Sequence, residues 1–135
     1  MKILIADDTG ALAPICIIFL TYWGHEVEVA PDGFAALRRA RAWHPDLVIA
    51  PVALERMDGL SLLSTLSASG TLPRNAFVLA GPGTDEHARR RGRDLGAAAY
   101  LETPLVVADL ARVVRRIGEA FGETQSREIR RSGTA

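Results

Sequence analysis

One cysteine and one lysine occur in 135 residues. The lone thiol, Cys16, excludes an intrachain disulfide framework, fits a reducing compartment, and is most simply a small core residue. Lys2 stands against fifteen arginines, so lysine chemistry is closed to the chain beyond its second residue. Aromatic residues make up 6%, with no cluster that would mark a flavin site. Net charge is absent too: 16 basic and 16 acidic side chains give +0. No overall positive field draws the domain to nucleic acid or to an anionic membrane. Long hydrophobic runs are missing. The longest uncharged stretch, Thr9–Gly24, is only partly apolar and contains Pro14, so it is no spanning helix. The opening MKILIADD has an apolar run too short for a signal peptide. These absences predict a cytoplasmic protein with neither membrane nor nucleic acid as the partner of this domain.

What is present is ordinary globular material. The chain is 48% hydrophobic and 24% charged, which excludes wholesale disorder, and its length suits one domain. Lys2–Ala6 (KILIA), Asp46–Ala50 (DLVIA) and Ala76–Ala80 (AFVLA) are short apolar runs suited to strands buried on both faces of a parallel sheet. Glu26–Ala30 (EVEVA) alternates, as an edge strand does, and Ala97–Leu101 (AAAYL) is a weaker fifth strand. Between them lie helical patterns: Ala11–Trp23; Phe34–Trp43 after a capping Asp32; Gly59–Ser67 after a capping Asp58; Asp85–Leu95 between Thr84 and Gly96; and Val106–Phe121. Strand then helix, five times over, predicts an α/β fold: a doubly wound five-stranded parallel sheet with helices on both faces. Residues 1–121 form the expected domain, and the polar stretch 122–135 is expected to be a disordered tail or linker stub. In such sheets function sits at the carboxyl ends of the strands. Those ends carry Asp7-Asp8, Pro51, Gly81 and Glu102-Thr103.

The segments Ile3–Asp8 (ILIADD), Ala30–Leu37 (APDGFAAL), Pro45–Ala50 (PDLVIA), Met57-Asp58-Gly59 and Gly96–Pro104 (GAAAYLETP) stand in a telling order and spacing. Over residues 2–121 the chain resembles the receiver domains of bacterial response regulators. The resemblance implies a flavodoxin-like sheet of strand order 2-1-3-4-5. It also implies a chemistry. An aspartate ending the third strand takes a phosphoryl group, and an acidic pair after the first strand helps hold Mg²⁺. A hydroxyl ending the fourth strand and a lysine ending the fifth bind the acyl phosphate, whose charge shifts a two-state surface.

Carried over position by position, most of that chemistry is missing. Asp7 and Asp8 form the acidic pair, and Ala53 matches the position offering a backbone carbonyl to the metal. The phosphoacceptor position is Pro51, which has no nucleophilic atom and no N–H. The hydroxyl position falls on Ala80, with Gly81 next, and the lysine position is Thr103. Lys2 starts the first strand, at the opposite end of the sheet. Asp46 lies about 16 Å of strand away from the site, and Asp58 reads as a helix cap. The expected function is therefore a pseudo-receiver of two-component or phosphorelay signalling, not an enzyme. It would act by protein–protein interaction without phosphorylation, holding no cofactor beyond a weak or vestigial Mg²⁺. Two other readings are a receiver phosphorylated at a non-standard carboxylate, and a doubly wound domain binding a small ligand.

Four further features carry expectations. Tyr100 matches the family's aromatic switch, and a static ring over the last strand is the favoured reading. Gly81-Pro82-Gly83 lacks the spacing of a phosphate loop and reads as a plain turn. His87–Arg93 (HARRRGR) reads as a solvated face with Asp85–Arg89 and Glu86–Arg90 pairs, on the least firmly anchored helix. In the first helix, Leu12, Cys16, Phe19 and Trp23 share one face, flanked by Ile15, Leu20 and Tyr22. Pro14, Ile17, Ile18 and Thr21 share the opposite face, which is uncharged and expected to be an interaction surface. Its expected partner is the helical bundle of a histidine kinase or phosphotransfer protein, or a second copy of the chain.

Overall fold

The computed structural model describes residues 1–73 and 75–132, with residues 124–132 described by their backbone alone. Strands and helices alternate as β1 (Lys2–Ala6), α1 (Ala13–Tyr22), β2 (Glu26–Ala30), α2 (Gly33–Trp43), β3 (Leu47–Pro51), α3 (Gly59–Ala68), β4 (Phe77–Pro82), α4 (Glu86–Asp94), β5 (Ala99–Thr103) and α5 (Val107–Ser132). All neighbouring strands pair in parallel, in the order β2-β1-β3-β4-β5. The order reverses between β1 and β3. The crevice that such a reversal opens therefore lies at the carboxyl ends of those strands, beside Asp7, Asp8 and Pro51.

Alternation along the buried strands splits the core into two layers. Ile3, Ile5, Leu47, Ile49 and Val78 pack with Cys16 and Leu20 of α1 and with Leu110, Val114 and Ile117 of α5. Leu4, Val48, Phe77 and Leu79 pack with Ala36 and Ala40 of α2 and with Leu62 and Leu66 of α3. Each fully buried large side chain contributes about 1.5–3 kcal/mol. The sheet is thus covered by packed helices on both faces. Asp32 and Asp58 cap α2 and α3, accepting from Ala35 N and Ser61 N at 2.8 Å each.

Several boundaries differ from the sequence expectation. β3, β4 and β5 run on to Pro51, Pro82 and Thr103, because ladder pairing continues past the apolar run: Pro51 opposes Ala80 and Pro82 opposes Thr103. The cap of α4 is Asp85 rather than Thr84; its carboxylate accepts from Ala88 N at 3.0 Å. Tyr22, expected to flank the covered face of α1, is 84% exposed. Most consequentially, α5 does not stop at Phe121. The stretch expected to be a disordered tail continues the helix to Ser132. A helix already nucleated and packed through Leu110–Ile117 extends at little cost through Glu, Gln and Arg, all good helix formers. Residues 133–135 lie outside the described residues. Among the described residues no helix is long and apolar enough to cross a membrane.

Candidate functional site: the carboxyl edge of the sheet

Asp7 leaves β1 and turns under the start of α1, where it is only 8% exposed. The helix has no cap of its own, since its N-cap residue is Leu12. Asp7 does that work from outside the helix. Oδ1 accepts from Thr9 N at 3.2 Å and Gly10 N at 3.1 Å; Oδ2 accepts from Leu12 N at 3.1 Å and Ala13 N at 2.8 Å. Burial alone would raise its pKa, but these four N–H donors outweigh burial and hold the carboxyl below the ordinary value. Asp8 faces the other way, and its Oδ2 accepts from Glu55 N at 3.1 Å. That bond pins the β3–α3 loop, whose Glu55 carbonyl in turn accepts from Gly33 N at 3.0 Å. The acidic pair therefore holds two chain segments in place.

Pro51 ends β3 half-buried, with no carboxylate and no N–H to offer. Asp58 is committed to capping α3. Thr103 ends β5, exposed. Lys2 sits at the far edge, its Nζ donating to the Trp43 carbonyl at 3.0 Å and lying 5.3 Å from the centre of that ring. No ammonium reaches the carboxyl edge. Ala80 does not point where the expected hydroxyl would. Its methyl is 0% exposed and packs in the layer beneath α1 and α5. The next residue, Gly81, faces the other side of the sheet, where a Cβ would lie 2.5 Å from Tyr100 Oη. A side chain at the end of β4 that faced Tyr100 would therefore be that of position 81, and it is glycine. Ala80 and Gly81 are both small, so only strand alternation separates their faces.

Tyr100 is held at three points. Its hydroxyl donates to the Pro82 carbonyl at 2.8 Å, its phenol tip fills the space that a side chain at 81 would need, and the Arg89 guanidinium lies 4.7 Å from the ring centre. Burial, reinforced by the charge of Asp85, raises the phenol pKa. Arg89 also donates to Glu102 Oε1 at 2.9 Å. The expected Asp85–Arg89 and Glu86–Arg90 pairs do not form among the described residues: Asp85 is occupied as a cap and Arg89 turns to β5. His87, Arg90, Arg91 and Arg93 are exposed, as a solvated face should be.

On α1 the four residues of the outer face, Pro14, Ile17, Ile18 and Thr21, are all exposed, Ile18 by 64%. Leu12, Cys16 and Leu20 are buried, and Phe19 and Trp23 are half-buried with their rings 5.8 Å apart. The outer face is apolar and carries no charge.

A family model described as the response regulator receiver domain matches residues 3–115. The chain belongs to this family. This receiver domain is 33% identical over 114 residues to the probable transcriptional regulator ycf27 of Galdieria sulphuraria, covering 84% of the chain and 44% of the relative. It is 32% identical over 117 residues to the response regulator MprA of Mycobacterium avium, covering 87% of the chain and 50% of the relative. The chain thus spans about half the length of these curated relatives. Among solved structures, a putative response regulator from Chloroflexus aurantiacus superposes with a TM-score of 0.77 at 29% identity, covering 86% of this chain and 95% of that one. The chemotaxis protein CheY4 of Vibrio cholerae, at 24% identity and a TM-score of 0.78, covers 86% of this chain and 97% of that one and shares the fold.

The Mg²⁺ that the family implies finds a poor donor set in this receiver domain. The oxygens of Asp7 are taken by four backbone N–H groups, Asp8 holds the Glu55 N–H, and Pro51 contributes no carboxylate. Ala53 is exposed in the β3–α3 loop, but a lone carbonyl does not replace the missing ligand. Among the described residues no three His, Cys, Asp or Glu side chains converge on a metal-sized site. The residues do not fit the ion as a resident cofactor.

Proposed function

We propose that this receiver domain serves two-component signalling as a protein-interaction module whose binding is not gated by phosphorylation. The observation that carries this reading is Pro51 at the end of β3, where the family's chemistry needs a carboxylate. Glycine at position 81, Thr103 at the end of β5 and the confinement of Lys2 to the far edge support it. Without a nucleophile there is no bond for phosphorus to form, and without hydroxyl and ammonium partners no charge-assisted cradle for the product. The proposed docking surface is the outer face of α1 (Pro14, Ile17, Ile18, Thr21), and the proposed partner is the helical bundle of a histidine kinase or phosphotransfer protein. The outer face of α1 is an apolar helical surface of the kind that packs against another helix by ridges and grooves. The alternative occupant, a second copy, would show as self-association.

The test is direct. The protein is incubated with acetyl phosphate and Mg²⁺, and its intact mass is taken. An unchanged mass is expected. A gain of one phosphate, released by mild base as an acyl phosphate would be, overturns the reading.

A further inference from the structure

The helix α4 buries only Ala88 and Gly92, so packing alone anchors it weakly. Something else holds it, and the Gly81-Pro82-Gly83 segment explains what. A Cβ at Gly81 would lie 2.5 Å from Tyr100 Oη, and one at Gly83 would lie 2.7 Å from Glu102 Cδ. Tyr100 and Glu102 are two apart on β5 and share a face, as Gly81 and Gly83 are two apart along the end of β4. The two bare positions are therefore filled by the two β5 side chains. Arg89 of α4 closes over both. It lies over the Tyr100 ring, donates to Glu102 Oε1 at 2.9 Å and reaches the Gly83 carbonyl at 3.4 Å. Gly92, one turn further along, lets α4 settle on Leu79, where a Cβ would lie 2.4 Å from Cδ1.

We propose that Gly81-Pro82-Gly83 is a fixed seat for Tyr100 and Glu102, and that this seat, clamped by Arg89, sets the placement of α4 without any chemical signal. The face so fixed carries the exposed Arg90, Arg91 and Arg93, beside a cleft of about 240 Å³ lined by Leu79, Arg89, Gly92, Arg93 and Tyr100. The inference goes beyond the proposed function, since it holds whether or not a phosphoryl group can be attached to the chain. Its test is accordingly independent of the mass measurement above.

The chain has two tyrosines, Tyr22 and Tyr100. Tetranitromethane at neutral pH, followed by peptide mapping, should nitrate the exposed Tyr22 about tenfold or more faster than the seated Tyr100. The three atoms nearest a new methyl in Gly81→Ala all belong to side chains, Tyr100 Oη and Cζ and Val52 Cγ2, so these give way before the backbone does. In that variant Tyr100 should approach the rate of Tyr22, and amide exchange across residues 86–94 should quicken about tenfold while α5 stays unchanged. In a Tyr100→Phe background the Oη that the new methyl meets is gone, and Gly81→Ala should change α4 exchange by less than about twofold. Arg89→Met leaves the seat intact and should quicken α4 exchange about fivefold by removing the clamp. The proposal fails if wild-type Tyr100 reacts as fast as Tyr22, if either single variant leaves α4 exchange unchanged, or if Gly81→Ala acts equally in both backgrounds.

Discussion

Asp7 Oδ2 and the backbone N–H of Ala13 lie 2.8 Å apart, across six positions of sequence. A side chain matching a metal ligand by position is, by its bonds, the cap of the first helix. The helix would otherwise begin with the buried N–H groups of Leu12 and Ala13 unpaired.

Removing that cap should be costly. Asp7→Ala leaves buried N–H groups without an acceptor, and a loss of about 2–3 kcal/mol is expected. Urea denaturation followed by circular dichroism measures it, and Asp7→Asn, which keeps one acceptor oxygen, should lose less. The pH dependence has a definite sign. The folded-state pKa of Asp7 lies below its ordinary value, so its contribution is present above the unfolded pKa and disappears as pH falls through the lower, folded one. Asp7→Asn should flatten the acid limb of the stability curve.

Restoring the nucleophile alone should not restore phosphotransfer. Pro51→Asp by itself is expected to give little acyl phosphate with acetyl phosphate and Mg²⁺. Pro51→Asp with Gly81→Thr and Thr103→Lys should act together, because the three groups serve one transition state. Placing the hydroxyl at Ala80 instead should fail and cost about 1–3 kcal/mol, since it would be buried in the layer beneath α1 and α5. Intact mass and thermal unfolding of the two triple variants separate the positions.

The outer face of α1 should tolerate charge. Ile17→Glu with Ile18→Glu should change folding stability by no more than about 1 kcal/mol, because both side chains are exposed. The same variant should lose partner binding or self-association, read by sedimentation and by titration against an isolated kinase bundle. Unfolding of the double variant would place those side chains in the core.

Cys16 should be silent until the protein unfolds. It is fully buried, and burial, with the nearby charge of Asp7, pushes its thiol pKa up to about 11. At pH 8 almost no thiolate is present. Ellman's reagent should release its colour only when denaturant is added.

The strand-and-helix order, the sheet topology and the caps at Asp32 and Asp58 were legible in the sequence because apolar periodicity and cap residues act locally. The places of Pro51 and Thr103 at the ends of β3 and β5 were equally legible, since both follow recognisable segments. Three things were not. The face of Ala80 depends on where β4 begins its alternation, and the unbroken run of small or apolar residues from Ala76 to Gly83 conceals that phase. The partner of Arg89 was hidden because i,i+4 spacing points to Asp85, whereas capping takes that carboxylate first. The length of α5 was hidden because loss of apolar periodicity marks the end of burial, not the end of a helix. A pairing of glycines two apart with large side chains two apart on the next strand, as at 81 and 83 against 100 and 102, is the signal that would have found the seat.

The position of Lys2 bears on how the protein can be handled. Its amine and that of Met1, which is hydrogen-bonded to His25 Nδ1 at 2.9 Å, both lie at the edge where the strands begin. Amine-reactive coupling has no other lysine to attack. A biosensor chip or a dye attached in this way would therefore hold every molecule by the same end, with the edge bearing Asp7, Pro51 and Thr103 turned toward the solution.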